Sequence, residues 1–184
     1  MFAFILSYIN KRRGKRLKYL GSPLPWDIAL SGHKGITIGK NVYIGRGGWL
    51  AASNLTGDEN STLIIKDGCS IGRFCHIYAT GSIVIENKAL LAEHVYIADN
   101  VHSYKDITIP IKDQGVNQKN HVTIGEGSWI GENVCIIGAS IGKNSVIGAN
   151  SVVTRDVPDY CVAVGIPARI IKRYDDKKGE WINV

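Results

Sequence analysis

An aliphatic residue returns every six positions through most of this chain, and that period excludes most folds. The run opens at Ile38-Gly39 and Ile44-Gly45, passes through Ile65, Ile71-Gly72 and Ile77, and continues at Ile85-Glu86, Leu91-Ala92 and Ile97-Ala98. It resumes at Ile124-Gly125, Ile130-Gly131 and Ile136, slips by one residue to Ile141-Gly142, and ends at Ile147-Gly148 and Val153. About a dozen repeats of this kind are too many for chance. A strict six-residue period does not hold one face of a helix with roughly 3.6 residues per turn, so a helical reading fails. What remains is a short strand and a tight turn per repeat, a unit too small to bury its own aliphatic side chain. Stacking supplies the burial: three repeats form one coil of a triangular prism, with Ile, Leu and Val pointing inward from coil to coil. The Gly that follows relieves the corner. Val42, Cys69, Cys75, Ala89, Val95, Ser128, Val134 and Ser145, four places after an aliphatic position, are expected to point inward too.

The remaining composition narrows the function. At 184 residues, with 45% apolar and 21% charged residues, the chain fits one globular domain, and 21 Gly against 5 Pro indicate recurring turns rather than a linker. The net charge of +6 is matched by six basic residues between Lys11 and Lys18, so the rest is near neutral and no nucleic-acid surface is required. The apolar opening, Met1 to Ile9, is shorter than a membrane span, and its basic residues follow rather than precede it. Residues 1–18 can therefore cap the first coil or lie on an anionic membrane. Four Cys without a CxxC pair, and no export signal, lead to an expectation of reduced thiols in the cytoplasm. Cys69 and Cys75 fall at inward positions and are read as buried and inert, and Cys135 and Cys161 have no activating context.

The repeats and the segment Val122 to Arg173 resemble the left-handed β-helix acetyltransferases, in particular the galactoside, maltose and polysaccharide O-acetyltransferases. The sharpest part of that resemblance is Val146-Ile-Gly-Ala-Asn-Ser-Val-Val-Thr-Arg-Asp-Val-Pro-Asp-Tyr160, followed by Val164-Gly-Ile-Pro-Ala-Arg169. It implies an all-β solenoid, a left-handed parallel β-helix of hexapeptide repeats with a protruding catalytic loop and short terminal extensions. The left hand comes from the resemblance alone, since the general crossover rule points the other way. The resulting boundaries are an N-terminal extension or cap over 1–34, the β-helix over 35–173 with a loop at 99–121, and a C-terminal tail over 174–184.

The register breaks after Ala98, where Asp99-Asn-Val-His-Ser-Tyr-Lys-Asp106 leads about twenty residues without repeats. Long loops on regular scaffolds are disproportionately functional. In the resembling enzymes this loop carries a DxxH motif whose His is the catalytic base, here Asp99 and His102. A neutral imidazole can take the proton of an alcohol as its oxygen attacks a thioester carbonyl. Asp99 either fixes the imidazole tautomer, contacts the sugar, or serves as a turn and cap residue. Tyr104 is assigned to the acceptor. His33, His76, His94 and His121 are read as surface or inter-subunit residues.

The resemblance also implies acetyl-CoA as co-substrate, no metal, and a homotrimer with grooves between adjacent prisms. Trp129 and Gly131 match the segment that lines the acyl-donor groove, where outward Trp129 is either a wall for the pantetheine arm or a subunit contact, and Ala149, Thr154 and Arg155 match positions that contact the coenzyme. Arg155, Arg169, Lys172 and Arg173 together make an anion site for its phosphates. The implied function is O-acetylation of a sugar hydroxyl in capsule, O-antigen or exopolysaccharide assembly. N-acetylation of a nucleotide-linked amino sugar is the nearest alternative. A γ-type carbonic anhydrase would need three zinc-binding His in a spacing that this sequence lacks, and a purely structural solenoid would not need the DxxH loop.

Overall fold

The computed structural model describes residues 24–57 and 60–184, and of the earlier chain only the short strand Lys18–Tyr19. Apart from the backbone of Lys18, the segment considered for membrane contact lies outside the described residues.

Short parallel strands form three sheets that the chain visits in a constant order. The first face contains Ile36–Ile38, Thr62–Ile65, Ser82–Ile85 and Val122–Ile124, and continues through single bridges to Ile141 and Val157. The second contains Tyr43–Ile44, Ser70–Ile71, Leu90–Leu91, Trp129–Ile130, Val146–Ile147 and Cys161–Gly165. The third contains Ala29–Ser31, Trp49–Ala52, His76–Ala79, Tyr96–Ala98, Cys135–Ile137 and Val152–Val153. Each circuit runs first, second, third, and the next circuit lies parallel on the last. The expected coil is therefore present. Helical structure among the described residues is limited to two 3-10 turns, His33–Gly35 and Ile111–Asp113, and no helix is long and apolar enough to cross a membrane.

Register places the repeat residues in three internal columns. Ile38, Ile65, Ile85 and Ile124 are aligned on the first face, Ile44, Ile71, Leu91, Ile130 and Ile147 on the second, and Leu50, Ile77, Ile97, Ile136 and Val153 on the third. All are buried, as are the eight small residues expected to face inward. The turns explain the rest of the period. The residue just before each small inward position has a positive φ, filled by Gly68, Gly127, Asn41, Asn133, Asn144 and Asn150, which tolerate that region at little cost. Phe74, Lys88, His94 and Tyr160 occupy the same position despite their bulk. A Cβ on Gly131 would lie 2.6 Å from the Ala149 nitrogen, so a side chain there would push successive coils apart.

Both ends depart from the expected boundaries. The third face already begins at Ala29–Ser31, paired with Trp49 to Ala51, so the coil starts upstream of Gly35. At the other end the second sheet continues through antiparallel strands Ala168–Asp175 and Glu180–Asn183, so residues 174–184 form part of a ribbon rather than a separate tail.

Candidate active site

The break in the repeat is a β-hairpin. Asn100–His102 pairs antiparallel with Val116–Gln118, and Val122 then resumes the first face. The loop beyond is tied to itself. Thr108 donates to the Asp106 carboxylate from both nitrogen and hydroxyl, holding that carboxyl below its usual range, and the Gln114 amide donates to the carbonyls of Asp106 and Ile109.

Asp99 anchors the base of this hairpin. It is 0% exposed, and its Oδ1 accepts from the Thr80 nitrogen at 2.8 Å while Oδ2 accepts from the Gly81 nitrogen at 2.8 Å. Asn100 Nδ2 donates to Oδ1 at 3.0 Å, and the Thr80 hydroxyl lies 3.1 Å from the same oxygen. The Asp99 carbonyl accepts from Gln118 Nε2 and the Lys119 nitrogen, which locks the returning strand to the departing one. No hydrogen bond joins Asp99 to His102. Of the roles open to Asp99 on the sequence, these contacts support the structural one: its carboxylate accepts from Thr80 and Gly81 of the preceding coil and from the neighbouring Asn100.

His102 ends the outgoing strand, exposed, opposite Val116. It stands at the rim of a cavity of about 450 Å³ between the hairpin and the third face. The far wall is a ladder of outward-facing residues, Trp49, His76 and Tyr96, one from each of three successive coils, with Tyr78 beside it. The Trp49 and His76 rings stack at 4.5 Å with a 16° interplanar angle, Tyr96 meets His76 edge-on at 5.2 Å, and Trp49 Nε1 donates to Ser31 Oγ. Burial lowers the His76 pKa and so favours its neutral form. The sequence reading missed this wall. Its signal is available in retrospect: Trp49, His76 and Tyr96 each immediately precede an inward aliphatic of the third face.

The other expected site residues are distributed over several parts of the coil. Tyr104 is 69% exposed on the loop and does not line the cavity. Trp129, 50% exposed, points outward from the second face between Leu90 and Val146, and Gly131 lies beneath Ala149 at the corner leading to the third face. Thr154 and Arg155 lie beyond the next corner, after Val152–Val153. Lys172 pairs with outward Val162 and so extends the row of Trp129 and Val146, Arg169 pairs with outward Val164 two residues further along, and Arg173 pairs with buried Cys161 on the other side of the ribbon. Arg169 and Lys172 therefore share a side of the ribbon.

The thiols offer no activated nucleophile. Cys69 and Cys75 donate to the carbonyls of Glu86 and Ala92, and burial raises both pKa values, that of Cys75 to about 11. One group among the described residues has metal-ligand spacing, Glu93, His94 and Glu132. It holds a single His, and Glu93 is already bound by Arg73 through two hydrogen bonds of 2.7 and 3.1 Å. It is not a three-His zinc set.

Comparison with known proteins fits this geometry. Residues 121–155 match the sequence model of a family described as the hexapeptide repeat of succinyl-transferase. The chain is 32% identical over 126 residues to the putative lipopolysaccharide biosynthesis O-acetyl transferase WbbJ of Escherichia coli, covering 65% of this chain and 64% of that protein. It is 36% identical over 140 residues to the galactoside O-acetyltransferase of the same organism, covering 76% and 57%. The chain thus spans roughly half to two-thirds of the length of these relatives. Among solved structures it shares the fold of AntD, an N-acyltransferase from Bacillus cereus crystallised with dTDP and 3-hydroxybutyryl-CoA. The TM-score is 0.74 at 20% identity, over 91% of this chain and 89% of that one.

Proposed function

We propose that this chain, which belongs with the hexapeptide-repeat acetyltransferases, transfers acetyl from acetyl-CoA to a sugar hydroxyl on a left-handed β-helix, with His102 as general base. The observation that carries the reading is the placement of His102: a rigid hairpin presents its imidazole at the rim of a cavity with an aromatic wall. Such walls suit the apolar C–H face of a sugar ring, and the aromatic rings are themselves held by packing. The likeness to O-acetyltransferases of galactosides and lipopolysaccharide points to the same acceptor class.

The chemistry asks little of the chain. The hydroxyl oxygen attacks the thioester carbonyl carbon as its proton passes to the His102 imidazole. The tetrahedral intermediate collapses with cleavage of the C–S bond, and the departing thiolate takes the proton back from imidazolium. No acyl-enzyme is needed, in keeping with thiols whose ionisation is suppressed. The donor is proposed to lie along the corner of Trp129, Gly131 and Ala149, with its phosphates near Arg169 and Lys172, while Thr154 and Arg155 contact a second part of it. That division suits a homotrimer, in which a groove between prisms draws residues from separate faces.

The test is His102→Ala. Acetyl-CoA-dependent acetylation of a panel of methyl glycosides and amino glycosides should fall at least 100-fold in turnover while acetyl-CoA affinity stays within a factor of two. Near-normal turnover removes His102 from the mechanism. Exclusive use of amino acceptors by the unmodified enzyme replaces O-transfer with N-transfer.

A further inference from the structure

The acetyl-transfer reading uses one histidine, yet two line the cavity. His76 takes no part in the proton transfer, and its environment is unusual for a surface residue. Nε2 is fully enclosed and has no hydrogen-bond partner, while no hydrogen bond reaches Nδ1, which is not enclosed. Around the ring stand Trp49 at 4.5 Å, Tyr96 at 5.2 Å and Tyr78 at 6.0 Å between centroids. An orphaned buried polar nitrogen is costly and calls for an explanation.

Burial disfavours the doubly protonated form of the ring, so it carries one proton. Nε2 is enclosed, which leaves Nδ1 as the nitrogen that a bound molecule can meet. A clamped, neutral imidazole is poorly suited to cycling a proton. It is well suited to a hydrogen bond with a bound hydroxyl, which can donate or accept.

We propose that His76 is a positioning residue for the acceptor: its Nδ1 forms a hydrogen bond with a hydroxyl adjacent to the one that His102 deprotonates, so that the site selects a pyranose with a vicinal diol. The inference rests on the acetyl-transfer reading and adds the acceptor's chemical class. The ladder explains why the nitrogen can select. His76 is clamped by residues from the coils before and after it, so its ring cannot turn to suit a misplaced hydroxyl. Trp49 is in turn fixed by its bond to Ser31 Oγ at 3.0 Å.

The experiment pairs an enzyme change with a substrate change. The probes are the methyl hexopyranoside turned over fastest by the unmodified enzyme and its monodeoxy analogues. His76→Phe keeps the stacking surface and lacks both nitrogens. It should raise KM for the parent glycoside roughly tenfold, with kcat, the acetyl-CoA KM and the melting temperature little changed. One deoxy analogue, lacking the hydroxyl beside the acetylated one, should show the same rise with the unmodified enzyme and no further rise with His76→Phe. His76→Asn, whose amide sets a polar atom near the place of Nδ1, should recover part of the loss. Additive effects of the deoxy analogues and His76→Phe, or a fall in kcat alone, overturn the positioning role while acetyl transfer stands. Absence of acetylation of every glycoside by the unmodified enzyme overturns both.

Discussion

Asp99→Asn separates two roles for the acid of the DxxH motif, because the change preserves shape and removes charge. The Thr80 and Gly81 nitrogens donate to different oxygens of the carboxylate, each at 2.8 Å. Whichever way an amide is turned, its NH2 group faces one of those N–H groups in a site with no exposure to solvent. A buried donor left without a partner costs about 1–3 kcal/mol, and the remaining bonds lose their charge assistance, so a total of about 2–4 kcal/mol is expected. At about 2–4 °C per kcal/mol for a chain of this size, the melting temperature should drop by roughly 4–16 °C. Turnover measured well below the transition should fall about 10- to 100-fold, as expected for a base displaced on a loosened hairpin. An aspartate that held the His102 tautomer would behave in the opposite way, costing about 10⁴ in turnover and leaving the fold intact. Thermal unfolding followed by circular dichroism, together with acetyl transfer at low temperature, decides between them. An unchanged melting temperature with turnover lost by 10³ or more would refute the anchoring role.

Two further outcomes test the core and the donor site. Burial raises the Cys75 pKa from 9.0 to about 11, so in the unfolded chain this thiol loses its proton first and the stability it contributes is lost as pH rises between about 9 and 11. In urea unfolding, the stability gap between the protein and Cys75→Ala should therefore narrow by about 2 kcal/mol from pH 8 to pH 10.5, and a constant gap would show that the thiol is not desolvated. Arg169→Glu should weaken acetyl-CoA binding tenfold or more while leaving acetyl-pantetheine, which lacks the nucleotide, nearly unaffected. Equal losses for the two ligands would place Arg169 away from the phosphates.

The core of this protein is legible in its sequence because burial acts on a fixed period. Ile38, Ile65 and Ile85 recur in phase with the turns that Asn41, Gly68 and Lys88 make, and each inward step is sterically constrained. The outward residues follow no such period. Trp49, His76 and Tyr96 become neighbours because successive coils stack in register, and since those coils differ in length a fixed count along the chain does not bring them together. The DxxH motif leaves the contacts of Asp99 open, and strand geometry supplies them. Residues three apart in an extended strand point to opposite sides, so Asp99 and His102 diverge once Asn100–His102 is recognised as a strand. Asp99 turns back into the preceding coil and His102 lines the cavity, so the same backbone extension that separates them lets the acid anchor the hairpin that carries the proposed base. A solenoid makes such a division natural: each inward side chain extends the core, while the outward faces and the loops that interrupt the period remain free to carry chemistry.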